Sequence, residues 1–316
     1  MVNQRSKIAV IGAGNVGSTF AYTLMMDGIA GEIVIIDTNK EKALAECMDL
    51  NHGLSFVEPT EIYHGDYDSC SDADIVVITA GAKQRTGETR MDLLGRNIKI
   101  MKAIIEQVIK YAKDPIILVV SNPVDILSFA AYKYSGFAHN RVIGSGTVID
   151  SSRFRYMISR HCQVDSRNIH AYIIGEHGDS ELPIWSNANI AGMLISEYCP
   201  VCARKCDYRT ELGQIFEEVK NSAYKIIDAK GATYYAIGLA LLRIVKAILR
   251  DENSILPVSA LIDDYYGISD VYLGMPSVIN SNGIKKTLKL QLSQQEQQDL
   301  RKSAQSLKNV IKDLGF

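Results

Sequence analysis

The chain of 316 residues lacks any stretch approaching the roughly 20 uninterrupted apolar residues of a membrane helix, so no membrane span is expected. Its longest candidate, Leu239 to Leu249, is interrupted by Arg243 and Lys246. It also lacks a block of like charge. The 34 basic residues stand against 36 acidic ones, for a net charge of −2, which leaves no basis for broad attraction to nucleic acid or an anionic membrane. Proline is scarce, with 7 residues, and no Pro-rich linker, low-complexity tract or internal repeat divides the chain. The apolar run behind Arg5 and Lys7 breaks at Gly12 and Asn15, too short for a secretory signal, so a cytoplasmic location is expected. Cysteine is sparse: Cys47, Cys70 and Cys162 are dispersed, and Cys199, Cys202 and Cys206 form one cluster, all expected as reduced thiols. Three thiols with no nearby His along the chain (His177 lies 22 positions before Cys199) fall short of a four-ligand zinc set, so no metal is expected.

What is present is an ordinary globular composition, 47% hydrophobic and 22% charged. In a chain of this length, folding buries about three quarters of the unfolded surface, enough for one or two cores without disulfide or metal staples. The first half alternates short Val/Ile-rich runs (Lys7–Ile11, Glu32–Ile36, Asp74–Thr79, Pro115–Val120, Arg141–Ile143) with amphipathic stretches (Val16–Asp27, Lys40–Asn51, Asn97–Lys113, Ile126–Ser135). Continuously apolar strands separated by helices predict an α/β fold, a Rossmann-type doubly wound parallel sheet. The rhythm changes after residue 144. A helix from about Asp150 to Arg160, a strand Ala171–Ile174 and a helical tract Thr210–Leu249 kinked at Gly231 are expected. Antiparallel strands Ile255–Tyr265, Asp270–Ile279 and Lys285–Leu290 follow, the last pair turning at Asn282-Gly283, and the Ser293/Glu296 capping box opens a closing helix. The expected domains are therefore 1–144, a dinucleotide-binding unit, and 145–316, an α+β substrate unit.

Gly12-Ala13-Gly14-Asn15-Val16-Gly17 follows the first strand and opens the first helix. Gly12 permits the tight turn, Gly14 lets backbone approach a pyrophosphate, and Gly17 lets helix pack on strand, with the anion on the helix dipole. Asp37 closes the next strand, 20 positions after Gly17. A carboxylate there accepts from both adenosine ribose hydroxyls and repels a 2′-phosphate, which favours NAD over NADP. The same Asp is also suited to capping the helix that follows.

Gly175-Glu176-His177-Gly178-Asp179-Ser180 lies on a loop after an apolar strand. Histidine is the common acid/base at neutral pH, although most single histidines are structural. Three other segments strengthen the catalytic reading: Asp150 and Arg153 at a helix start, Arg90 behind the polar Gly87-Glu88-Thr89 loop, and Ser121-Asn122-Pro123 at a strand end. Together they suit hydride transfer at a secondary alcohol. His177 takes the hydroxyl proton, Asp150 orients the imidazole, Arg153 holds a carboxylate bidentately, and Arg90 polarises a carbonyl when its loop closes. A non-catalytic NAD sensor would need none of these together.

GAGNVG, AGAKQRTGETR, SNPVD, IDSSRFR, GEHGDS and KGATYYAIG occur in the order and approximate spacing of the lactate and malate dehydrogenases, a family the chain resembles along essentially its whole length. The resemblance implies His177 as proton acceptor with Asp150 as its partner, Arg153 as carboxylate anchor and Arg90 as loop arginine. It also implies Asn122 in contact with substrate and nicotinamide, Thr233 and Ile237 lining the pocket, and Val16, Lys42, Tyr67, Gly81 and Ala82 lining the NAD groove. Malate enzymes carry Arg three residues before the position of Gly87 to pair a second carboxylate; here stands Gln84. An unpaired carboxylate in a closed pocket costs several kcal/mol, so pyruvate and lactate are the expected substrates, with malate or another 2-hydroxy acid as the alternative. Arg85 is adjacent, and Thr86 stands where the family usually has Pro, which loosens the loop. Arg155, two residues beyond Arg153, points about 200° away from it on a helix. His170 precedes the strand leading to His177 and is expected near Arg155; from chemistry alone the two read equally well as ordinary surface residues or as a paired site facing a neighbouring subunit. Bacterial members activated by fructose 1,6-bisphosphate carry Arg and His at these two positions, which implies a homotetramer with this effector bound between subunits.

Overall fold

The computed structural model describes residues 6–82, 87, 89–201 and 207–316. The parallel half of the main sheet consists of β1 (Lys7–Ile11), β2 (Glu32–Ile36), β3 (Glu61–His64), β4 (Ile75–Ile78), β5 (Ile116–Val119) and β6 (Val142–Gly144). Their spatial order, β3-β2-β1-β4-β5-β6, is the doubly wound arrangement, and every neighbouring pair is parallel. The apolar runs are continuous because both faces are covered. Ile8, Val10, Ile33, Ile35, Val77 and Leu118 enter one core, while Ala9, Ile11, Val34, Ile36, Ile78 and Val119 enter the other. Helices α1 (Asn15–Asp27) and α2 (Lys40–His52) cover the first face; α3 (Arg90–Tyr111) and α4 (Val124–Ser135) cover the second.

Within this half, two elements differ from expectation. No strand is expected at β3, an edge strand with only Ile62 buried, because Glu61 and His64 leave almost no apolar pattern. Helix α3 begins at Arg90 rather than Asn97. Thr89 and Asp92 form a reciprocal capping box there, which starts the helix directly behind the polar loop and ahead of the apolar pattern that marks its body.

Beyond Gly144, α5 (Val148–Cys162) leads into short strands β7 (Ile169–His170), β8 (Ile173–Ile174), β9 (Leu182–Pro183), β10 (Asn189–Ile190) and β11 (Met193–Leu194), then α6 (Ile195–Val201). The strand expected at Ala171–Ile174 is shortened to β8, which pairs with β9, while β7 just ahead of it pairs with β10. The tract expected as one kinked helix is α7 (Tyr208–Lys230) and α8 (Tyr235–Leu249), fully separated where Gly231 turns left-handed at φ +83°. Strands β12 (Ser254–Ile262), β13 (Val271–Asn280) and β14 (Gly283–Thr287) are antiparallel, as expected. The turn is Ser281-Asn282, with Gly283 at φ +89° opening β14. These strands extend the same sheet, because β12 pairs with β6 at Ser259 and Gly144. A Cβ on Gly144 would lie 2.6 Å from that of Ser259, so glycine permits the join. Helix α9 (Gln294–Asp313) opens with the Ser293/Glu296 capping box and closes the second core through Leu300, Ala304, Leu307 and Ile311. Among the described residues, no helix is long and apolar enough to cross a membrane.

Candidate active site

The strand order reverses between β1 and β4, and at such a switch point the carboxyl ends of two strands diverge and leave a crevice. Gly12 follows β1 there at φ +114°; a Cβ would lie 2.7 Å from both the Ala80 nitrogen and Thr79 Oγ1. A Cβ on Gly17 would overlap the Gly12 carbonyl oxygen, so this glycine sets helix-to-loop packing. Gly14 is different: nothing lies within 4 Å of its Cβ position. It is also the N-cap of α1, with no side chain bonding the exposed amide groups and no acidic residue in the first turn. Open space in front of unsatisfied N–H groups fits a pyrophosphate.

Asp37 braces the glycine loop rather than capping the helix that follows. One carboxylate oxygen accepts from the Ala13 N–H at 2.6 Å and the other from the Asn39 N–H at 2.8 Å, which locks the end of β2 onto the glycine loop. Asn39, rather than Asp37, is the side chain that caps α2, accepting from the Lys42 N–H. A carboxylate offers about four acceptor positions, so ribose hydroxyls still find partners on half-buried Asp37. Tyr67 is half-buried, its hydroxyl pushed upward by burial, with Cys70 and Asp37 adding to the shift. Lys42 is exposed on the first turn of α2. Val16 and Ile237 flank the same core cluster, because α8 lies across α1 with Gly238 against Thr19 and Thr23.

A buried amide joins the next two segments. The Ala82 N–H donates to Asn97 Oδ1 at 2.8 Å, and Asn97 Nδ2 donates to the Asn122 carbonyl at 3.1 Å. Asn97 thereby ties Gly81-Ala82 after β4 to Asn122 after β5, where the Asn122-Pro123 peptide is cis. Sequence reading did not give Asn97 this role; its only signal is a polar residue, 4% exposed, on the apolar face of α3. Thr233 is half-buried in the connection before α8. Gln84 lies outside the described residues, and of Arg90 only the backbone, at the start of α3, is described.

The loop bearing His177 is held from three sides. Gly175, at φ +90°, exchanges two backbone hydrogen bonds with Gly274 of β13, Ser303 of α9 accepts from the Glu176 N–H at 2.9 Å, and Asp125 of α4 accepts from the His177 N–H at 2.7 Å. Asp125 is fully buried in the first turn of α4, also accepts from Ser259, and is pushed up to about 6 by burial against those hydrogen bonds. No role for it was read from sequence. The start of α5 is tied to β8 through Thr147 and Ser151, whose hydroxyls reach the Ile173 backbone.

These anchors bring residues from two distant segments together. His177 Nδ1 lies 2.6 Å from Asp150 Oδ2, while Arg153 donates to Asp150 Oδ1 at 2.8 Å. Burial works against charge on each partner, yet their mutual attraction prevails. Asp150 is held below the usual carboxylate range by His177 and Arg153, and His177 is carried up to about 9 by Asp150, with Asp125 and Glu181 contributing. Because Nδ1 is occupied, Nε2 is the nitrogen left for a substrate. Glu181, also missed, has its carboxyl within 4.8 Å of Asp150 and His177, and burial next to Asp150 pushes it up to about 8. Arg155 faces the other way, donating from Nε to the Ala171 carbonyl at 2.9 Å with its guanidinium over the Tyr172 ring. His170 is exposed on the adjoining strand.

Residues 6–144 match the family profile of the lactate/malate dehydrogenase NAD binding domain, and residues 147–315 that of the lactate/malate dehydrogenase alpha/beta C-terminal domain. The chain is 56% identical over 308 residues to the L-lactate dehydrogenase of Acetivibrio thermocellus, covering 98% of this chain and 97% of that one. It is 54% identical over 310 residues to L-lactate dehydrogenase 1 of Clostridium acetobutylicum, covering 98% and 99%. Among solved structures, a lactate dehydrogenase from a deep-sea metagenome library superposes with a TM-score of 0.96 at 45% identity, covering 99% of both chains. The minor L-lactate dehydrogenase of Enterococcus mundtii superposes with a TM-score of 0.95 at 41% identity, covering 98% of this chain and 99% of that one.

Proposed function

The chain belongs to the lactate/malate dehydrogenase family, and from that premise we propose that it is an L-lactate dehydrogenase, reducing pyruvate to (S)-lactate reversibly in the cytoplasm during fermentation. The observation that carries the reading is Asp150 bonded through one oxygen to His177 and through the other to Arg153. One buried carboxylate thereby sets the acid/base and the anchor for the substrate's carboxylate in fixed relation. NAD, when bound, accepts or delivers the hydride. The groove described by Gly12, Gly14, Val16, Gly17, Asp37, Lys42, Tyr67, Gly81, Ala82, Asn122 and Ile237 is assigned to it.

In the reducing direction, Arg153 binds the pyruvate carboxylate with the guanidinium donors that Asp150 does not use. Arg90 polarises the carbonyl, Asn122 and Thr233 line the pocket, and the imidazolium of His177 donates its Nε2 proton to the oxygen becoming the hydroxyl. In the oxidising direction neutral His177 removes that proton, and Asp150 stabilises the resulting charge. Residues 1–144 hold the dinucleotide and residues 145–316 supply acid/base and anchor. Gln84 brings no cation for a second carboxylate, which favours pyruvate over oxaloacetate. Steady-state rates with both keto acids test the reading: pyruvate is expected to have the higher kcat/KM, and a preference for oxaloacetate overturns it.

The same reading extends to regulation. Arg155, bonded to the Ala171 carbonyl next to exposed His170, offers a guanidinium and an imidazole able to bind a proton away from Asp150, suited to a phosphate at a subunit boundary of a homotetramer. Fructose 1,6-bisphosphate is the assigned effector and acts by binding the active quaternary state more tightly. Pyruvate saturation with and without it, for wild type and Arg155→Gln, tests this; identical wild-type curves would overturn it.

A further inference from the structure

Although 37 positions from Cys162 along the chain (199 − 162), Cys199 of α6 packs against the carboxyl end of α5. One ligand atom each from His161, Cys162 and Cys199 lies within 4.8 Å of the other two. His161 and Cys199 are buried, Cys162 is half-buried, and the group sits at the edge of the core formed by Phe154, Ile158, Leu212 and Ile215. Glu211, in the first turn of α7, places a carboxylate oxygen 3.6 Å from His161 Nδ1. Reading distance along the chain found no histidine near Cys199; the turn after α5 and the β7–β11 excursion bring one there.

We infer that His161, Cys162, Cys199 and Glu211 form a zinc site linking α5, α6 and α7. The donor set is one nitrogen, two sulfurs and one oxygen, which suits a borderline-soft, four-coordinate ion. Around a tetrahedral zinc, nitrogen and oxygen ligands about 2.0–2.1 Å from the metal stand roughly 3.3 Å apart, and two thiolate sulfurs at about 2.3 Å stand roughly 3.8 Å apart. Ligation therefore requires the His161, Cys162 and Cys199 atoms, now within 4.8 Å of one another, and the Glu211 oxygen, now 3.6 Å from His161, to draw in toward a common centre. Glu211 is 39% exposed, so its side chain is not locked by packing on all sides, and half-buried Cys162 keeps the site near solvent. Binding converts both thiols to thiolates with release of two protons; their charge balances that of the ion, and Glu211 adds a charge-assisted fourth bond. Since α5 carries Asp150 and Arg153 at its other end, the metal would clamp the helix that positions the acid/base, without touching substrate.

The full-length protein, purified in the presence of a thiol reductant, tests this by metal analysis and by Co(II) substitution. Expected are one zinc per chain after dialysis against a weak chelator and, with Co(II), the thiolate-to-cobalt charge-transfer band and intense visible bands of tetrahedral coordination. Cys162→Ser and His161→Asn should each weaken zinc binding about tenfold or more, while Cys47→Ala, in the other domain, should not. Cys162 is half-buried, so its serine variant keeps the test valid if Cys199→Ser fails to fold. Substoichiometric zinc with no thiolate band overturns the inference, as does unchanged zinc affinity in Cys162→Ser.

Discussion

Replacing Asp150 by Asn retains the shape of the side chain and removes its charge, which isolates the electrostatic part of the site. The Asp150 contact at 2.6 Å is the main attraction that carries His177 from 6.5 up to about 9 against burial. At 1.36 kcal/mol for each tenfold change in proton affinity, this corresponds to about 3 kcal/mol of preference for imidazolium. The sign follows directly: the raised affinity keeps His177 protonated through neutral pH, and the proton is lost as pH rises through about 9. Pyruvate reduction needs that proton, so wild-type kcat/KM for pyruvate is expected to hold steady to about pH 9 and to fall tenfold per pH unit above it. In Asp150→Asn the limb should move down to near the ordinary histidine value or below it. Near pH 7.5 the loaded fraction then drops from nearly all to about one tenth. Lost orientation of the ring adds to this, with proton transfer as a whole contributing about 10²–10⁴-fold. The two parts separate experimentally: assay near pH 5.5 restores protonation and leaves the orientational loss. A variant whose alkaline limb stays near 9 would refute the assignment of Asp150 as the source of the shift.

Arg153→Lys is expected to raise KM for pyruvate about 10- to 100-fold with a smaller change in kcat, since one hydrogen bond to a charged group and the fork geometry are lost; an unchanged KM places the anchor elsewhere. Asp37→Ser removes the acceptor for the Ala13 N–H and the charge that repels a 2′-phosphate. NADH affinity should fall and the NADH/NADPH preference should narrow, as measured by fluorescence titration with both. In Gly17→Ala the added methyl meets the Gly12 carbonyl. This should cost about 1–3 kcal/mol in denaturant unfolding and weaken NADH binding; wild-type values for both would contradict the assigned packing role.

The parallel half of the sheet was legible because local chemistry and tertiary role coincide there. A strand buried on both faces has no freedom to be polar, so Lys7–Ile11 and Glu32–Ile36 announce themselves at the boundaries observed. The glycine loop and Asp37 were readable for a related reason: a turn that tolerates no Cβ and an exposed helix amino terminus leave their mark within six residues. Pairing between distant segments leaves no such mark. Nothing local to Asp125 or Asn97 says that one holds the His177 backbone and the other bridges two strand ends, because those partners meet only when α4 and α3 pack. The extension of the parallel sheet by β12 rests on Gly144 facing Ser259 across 115 positions, a contact that periodicity does not encode. His161 stands 38 positions before Cys199 along the chain (199 − 161), yet a ligand atom of each lies within 4.8 Å of the other. Sequence by itself determined the buried parallel strands, the long amphipathic helices and which residue types carry the chemistry, since these follow from burial and backbone geometry over a few residues, whereas short or half-polar elements such as β3 did not show. Tertiary structure alone decided which of those residues face one another, because a proton affinity or a coordination site depends on distances of a few ångströms that only the packed chain sets.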